Sequence, residues 1–79
     1  MAYTLHCPQW GMGITEGTIT KWLKRPGERI QEGEEIVEIE SAKAIDVVES
    51  PVSGTMQRLL VEEGVTIPVR APIAVIDES

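Results

Sequence analysis

Apolar side chains in this sequence fall into short runs, and no stretch of ten or more residues repeats them at the 3.6-residue spacing of a helix. The runs are residues 3–7 (YTLHC), 17–23 (GTITKWL), 34–40 (EEIVEIE), 44–49 (AIDVVE), 54–61 (GTMQRLLV) and 72–78 (PIAVIDE). Each is rich in Thr, Ile, Val or Trp, which suit a pleated, half-buried surface. Turn punctuation separates them: Pro26-Gly27, Gly33 and Gly64. Short strands at close spacing predict an all-β chain, a small sandwich or flattened barrel. Facing is legible only in part. In AIDVVE, strict alternation sets Ile45 and Val47 on one side and Asp46 and Val48 on the other. In GTITKWL it sets Ile19 with Lys21 and Leu23 and leaves Trp22 opposite; a bulge would resolve this, but the sequence shows none.

The pattern occurs twice. Residues 17–41 slide onto 54–78 without a gap, an offset of 37, and seven of the 25 positions are identical. Gly17, Thr18, Leu23, Gly27, Ile30, Ile36 and Ile39 meet Gly54, Thr55, Leu60, Gly64, Ile67, Ile73 and Ile76. Glycines and aliphatics in register indicate two copies of one supersecondary unit. Each copy reads strand, turn, short strand, turn, strand, so a pseudo-twofold axis is expected. The turn after the first copy and the two chain termini then lie at opposite ends of the molecule.

Composition narrows the functions. A chain of 79 residues is expected to be one domain (1–79), and it buries only about 60% of the surface exposed when unfolded. With 42% apolar residues and no Phe, its core is assembled from many Ile, Val and Leu contacts. Such a thin core argues against an internal active-site cavity and hence against an autonomous enzyme. The net charge of -6, from 13 acidic and 7 basic residues, disfavours nucleic-acid binding, which depends on clustered Lys and Arg. No apolar run is long enough for a membrane helix, and no signal-peptide pattern is present. Cys7, alone, forms no internal disulfide and reads as a small buried hydrophobe. His6 has no metal-ligating neighbours in sequence and reads as an ordinary strand residue. Glu34, Glu35, Glu62 and Glu63 read as solvated turns.

One lysine stands apart. Lys43, in Glu40-Ser41-Ala42-Lys43-Ala44, sits in the hairpin joining the two copies. A lone exposed lysine is ordinarily a solubility device. Here the two smallest chiral side chains flank it, which keeps the turn narrow around a flexible four-carbon stem. An exposed amine of this kind titrates near 10.4 and is cationic at neutral pH, so an enzyme that acylates it must bring an activated donor. Acylation would take the formal charge from -6 to -7.

Three segments together carry a family resemblance that covers essentially the whole chain: CPQWGMGITEGTI (7–19), PGERIQEGEEIVEIE (26–40) and ESAKAIDVVESPVSGTM (40–56). They resemble the lipoyl domains of 2-oxo acid or acetoin dehydrogenase acyltransferases, within the biotinyl/lipoyl carrier superfamily. The resemblance implies a flattened barrel of two four-stranded sheets with pseudo-twofold symmetry. It implies that Lys43 accepts lipoate in amide linkage, and that Glu40, Ser41, Ala42 and Ala44 are read by the lipoate ligase or the decarboxylase. For Glu40 and Ser41, ordinary turn chemistry is an equal alternative. The arm would collect an acyl group from a thiamin diphosphate-dependent decarboxylase and carry it as a thioester to an acyltransferase core, for transfer to CoA. A dihydrolipoyl dehydrogenase would then reoxidise it. The isolated domain is expected to be a non-catalytic monomer that binds neither nucleic acid nor membrane, cytoplasmic in a bacterium or archaeon and in the mitochondrial matrix of a eukaryote. The acidic end, Ile76-Asp77-Glu78-Ser79, suggests excision from a longer chain. Gln9-Trp10-Gly11 is similar to acetoin-type acyltransferases. Residues 9–15 either contact the decarboxylase or simply span two strands, with Trp10 and Met12 covering the core edge.

The sequence departs from that family at Ala42, where most acyltransferase lipoyl domains carry Asp. ESAKA is locally similar to the glycine-cleavage carrier, a longer protein. Two rival readings share the fold. A biotin carrier usually flanks its lysine with methionines rather than Ala42 and Ala44, and an unmodified adaptor of membrane-fusion type splits the halves around a helical hairpin.

Overall fold

The computed structural model describes residues 1–9, 13–42 and 44–78. Its elements, among those residues, are eight β-strands: β1 (Ala2–His6), β2 (Glu16–Trp22), β3 (Arg29–Ile30), β4 (Glu35–Glu40), β5 (Ile45–Glu49), β6 (Gly54–Leu59), β7 (Thr66–Pro68) and β8 (Pro72–Glu78). They form two four-stranded antiparallel sheets, ordered β1-β8-β6-β3 and β5-β4-β2-β7. Exchanging each strand for its partner in the repeat turns one order into the other, so the expected pseudo-twofold is present strand by strand. Each sheet draws on both halves: β7 pairs with β2, and β3 pairs with β6.

The symmetry extends to the irregularities. Pairing of β2 with β4 slips between Ile19 and Lys21, and pairing of β6 with β8 slips between Met56 and Arg58, 37 residues further on. An extra residue in one strand resets which face its successors present. With Thr20 as that residue, Ile19 and Trp22 both point into the core while Lys21 remains exposed. Strict alternation, which opposed Trp22 to Ile19, therefore fails here. The Thr20 hydroxyl donates to the Glu38 carbonyl at 3.0 Å, a bond made from within the bulge. A second pair of slips bypasses Ile36 opposite β5 and Ile73 opposite β1, again 37 apart. Both isoleucines and their successors, Val37 and Ala74, are fully buried.

The core is the repeat's matched aliphatics. Ile19, Ile30, Ile36, Ile39, Met56, Ile73 and Ile76 expose 1% or less of their surface. Each such side chain contributes roughly 1.5–3 kcal/mol by leaving water, which accounts for a stable core without Phe. Trp22 closes one side, its indole N–H donating to the Val61 carbonyl at 3.0 Å and its backbone N–H to Glu63 Oε2 at 2.8 Å. Glu63 is thus more than a solvated turn residue. So is Glu34, which accepts from the Gln31 backbone N–H at 3.0 Å and pairs with Lys24 at 2.7 Å. At Gly54 a Cβ would stand 2.2 Å from the Asp77 carbonyl oxygen, so the two strands meet where only glycine fits.

Gly33, in the β3–β4 turn, has φ +88°, and its repeat equivalent in the β7–β8 turn is Arg70 at φ +70°. Among the described residues Arg70 is the only non-glycine in this left-handed region, which costs an L-residue roughly 1–2 kcal/mol. Four residues (50–53) carry the chain from β5 to β6, and Gly54 pairs with Glu78. Beside it, the Glu78 N–H donates to the Met1 carbonyl at 2.8 Å. The far ends of β4 and β5, and the turn between them, therefore point away from the termini along a molecule measuring 36 × 21 × 17 Å.

Candidate functional site

The β4–β5 turn grows from the most buried strand of its sheet. Ile36, Val37 and Ile39 anchor β4 in the core, and Glu40 pairs with Ile45 at the base of the turn. Ser41 closes it. Its backbone N–H donates to the Ala44 carbonyl at 2.8 Å, its hydroxyl donates to the same carbonyl at 3.1 Å, and the Ala44 N–H returns to Ser41 Oγ at 3.3 Å. Ala42 follows Ser41 at the tip of the turn. Ala42 and Ala44 are exposed, as is Glu40, while Ser41 is half-buried. Lys43 itself lies outside the described residues, as do Trp10, Gly11, Met12 and Ser79. Ser41 thus performs the turn chemistry that its residue type suggested.

A concavity of about 510 Å³ adjoins the turn, lined by Gly13–Thr18 on one wall and Glu40, Ser41 and Ala42 on the other. The connection that enters β2 therefore borders the turn, and Glu16 and Glu40 give the hollow an acidic rim. Two residues of the neighbouring edge strand were not recognised in advance as part of the site: Ile45 is 62% exposed and Val47 41%. Their pairing partners are Glu40 and Glu38, so an aliphatic stripe runs from the turn along an acidic sheet face. Alternation had grouped Ile45 with Val47; the sign that this side faces outward lay in Val48, which packs against the core from the other.

Three residues of the β7–β8 turn hold both roots of the β1–β2 connection. The Cys7 N–H donates to the Ala71 carbonyl at 2.8 Å, the Arg70 N–H to the Cys7 carbonyl at 3.0 Å, and the Val69 N–H to the Thr15 carbonyl at 3.0 Å. The Arg70 guanidinium adds a fork onto the Gln9 side-chain carbonyl, through Nε at 2.8 Å and through Nη2. Sequence reasoning missed this pair; the available signal was an Arg at the repeat position where the first half has a turn glycine. Cys7 is 2% exposed, and burial pushes its thiol up from the ordinary range, opposed by the Arg70 backbone bond. It is poorly suited to act as a thiolate nucleophile. Among the described residues no three His, Cys, Asp or Glu converge to hold a metal ion.

The site is thus a tight turn on a buried stem, presented by a doubled all-β scaffold. Residues 3–76 match the biotin/lipoyl family, described as "Biotin-requiring enzyme". The chain is 40% identical over 76 residues to the dihydrolipoyllysine-residue acetyltransferase component of the acetoin cleaving system of Pseudomonas putida, covering 96% of this chain and 20% of that one. It is 44% identical over 72 residues to a probable dihydrolipoyllysine-residue succinyltransferase component of the mitochondrial 2-oxoglutarate dehydrogenase complex of Schizosaccharomyces pombe, covering 91% and 16%. The solved lipoyl domain of the 2-oxoglutarate dehydrogenase complex of Azotobacter vinelandii superposes with a TM-score of 0.80 at 28% identity, with 96% of each chain covered. A long-chain acyl-CoA carboxylase shares the fold, with a TM-score of 0.82 at 20% identity, and covers 99% of this chain. The chain belongs to the biotin/lipoyl family and is a lipoyl domain of the kind carried by these acyltransferase components. It spans 20% and 16% of the length of the two acyltransferase relatives.

Proposed function

We propose that Lys43 carries lipoate in amide linkage and serves as the root of a swinging arm. The arm moves acyl groups from a thiamin diphosphate-dependent decarboxylase to an acyltransferase core. The observation that carries this reading is the β4–β5 turn: stemmed on a buried strand and closed between Ser41 and Ala44, at the end remote from the termini. When attached, the dithiolane supplies a disulfide that accepts an acyl group with reduction and yields it as a thioester to CoA; a dihydrolipoyl dehydrogenase restores the disulfide.

The residues of this chain suit that group. Exposed Ala42 and Ala44 leave the amine approachable by a lipoate ligase, and Ser41 fixes where the stem begins. The only cysteine is buried with its thiol pushed up, so the chain offers no competing surface thiolate. Glu40 and Ser41, with the alanines, form the face that ligase and decarboxylase would read. In this scheme residues 1–79 act as one non-catalytic carrier unit, in a bacterial or archaeal cytoplasm or in a mitochondrial matrix. The acyl donor belongs to the class that the relatives serve, a 2-oxo acid or acetoin.

Intact mass after co-expression with lipoate ligase and, separately, biotin ligase tests the assignment. A lipoyl increment that disappears in Lys43→Ala is the expected result. A biotin increment, no increment, or a lipoyl increment surviving that substitution overturns it.

A further inference from the structure

We infer that Arg70 is a positioning residue: its side chain clamps Gln9 and thereby sets the wall of the concavity against which the acyl-donating decarboxylase reads the β4–β5 turn. The inference rests on the carrier reading above for its function, though not for its geometry.

The internal repeat supplies the control. In each half the turn before the last strand is latched, by the same pair of backbone bonds, to the residue that follows the strand leading into the other half. In the first half, the Gly33 N–H donates to the Ser50 carbonyl at 2.7 Å and the Ser50 N–H to the Glu34 carbonyl at 2.9 Å. In the second, the Arg70 N–H donates to the Cys7 carbonyl and the Cys7 N–H to the Ala71 carbonyl, at 3.0 and 2.8 Å. Backbone latching thus needs no side chain at this position. Glycine satisfies it at residue 33, and glycine also adopts the left-handed conformation without strain. Arginine at the equivalent position is conformationally unfavourable, and what it adds is the fork onto Gln9. That fork acts where the two halves differ most. The Ser50 latch leads into a four-residue crossing, whereas the Cys7 latch leads into residues 7–15, whose last three line the hollow beside Ala42. With Val69 holding Thr15, the same turn fixes the exit of that connection as well as its entry.

The test has two arms. In the 15N-labelled unmodified chain, Arg70→Gly and Gln9→Ala are both expected to shift the amides of Gly13, Ile14 and Thr15 and to speed their hydrogen exchange, with the melting temperature held or raised in Arg70→Gly. In the lipoylated chain, reductive acylation is followed with thiamin diphosphate-dependent enzymes that decarboxylate pyruvate or 2-oxoglutarate or that cleave acetoin with release of acetaldehyde. For whichever acylates the wild type, each single variant is expected to raise KM at least fivefold with kcat within twofold. The double variant should be no worse than either single one, and Gln9→Glu, which keeps the acceptor, should retain the wild-type KM. Unmoved amides, an unchanged KM, or additive effects in the double variant overturn the inference. A lipoylated wild type that accepts no acyl group from any of the three counts against the carrier reading, while the amide spectra still decide the clamp.

Discussion

The connection entering β6 and the one entering β2 occupy equivalent places in the repeat, yet one has four residues and the other nine. The short one is built for closure. Ser50 is 2% exposed, its hydroxyl donates to the Val52 carbonyl at 2.6 Å and accepts from the Val52 N–H at 3.3 Å, and Ser53 Oγ takes the Glu32 N–H at 2.9 Å. The long one begins at Cys7, buried with no hydroxyl to spend on a turn, and emerges beside the β4–β5 turn. Between them the pairing, the bulges and the buried isoleucines stay the same. The buried frame is therefore what the halves share, and the proposed recognition surface lies in what they do not.

Substitutions should divide along that line. The largest effect is expected where the shared frame has no room: Gly54→Ala drives a methyl group into the Asp77 carbonyl, 2.2 Å away, and should cost about 3 kcal/mol or more in a urea titration. Next is a matched pair at the two latches. Ser50→Ala removes the hydroxyl that ties Val52 and should cost about 1–2 kcal/mol, while Cys7→Ala, losing packing and the weak Arg70 backbone contact to its sulfur, should cost about 1 kcal/mol and leave the short crossing intact. Equal losses, or a larger one at Cys7, would break the comparison. The smallest effect concerns the Lys24–Glu34 pair, whose repeat equivalents are Val61 and Ala71. The hydrogen bond to Lys24, aided by the Gln31 N–H, holds the Glu34 carboxyl below its ordinary 4.5. Its contribution is present above that value and lost as pH falls through the lower folded-state value. The bond to Glu34 raises Lys24 above 10.5, so its contribution holds below that and fades at higher pH. Melting temperatures of wild type and Glu34→Gln should thus differ at pH 7 and converge below pH 4.5; parallel curves would remove the pair from the account.

Much of the frame was legible in the chain. Glycines and aliphatics matching at an offset of 37 implied two copies, and the copies implied the pseudo-twofold and the distance between turn and termini. Facing was harder to read, because a bulge leaves no mark in composition: Thr20 and Gln57 are ordinary strand residues, and only pairing shows that each is supernumerary. Glu34 and Glu63 were misjudged for a related reason. A carboxylate beside a turn looks the same in sequence whether it faces water or a backbone N–H that the fold leaves open. At the site, the lysine turn could be located from its position between the copies, whereas the Arg70–Gln9 contact joins residues 61 apart and depends on a left-handed backbone that no local pattern announces.

The exchange of short strands between halves, β3 onto β6 and β7 onto β2, shapes how the molecule must assemble. Neither half completes a sheet by itself, so the chain has to bring distant segments together before much surface leaves water, a topology that folds on the millisecond-to-second scale rather than in microseconds. For the same reason, melting one half strips the other of an edge. The lysine turn is thus secured by cooperativity extending to residues far beyond its own hairpin.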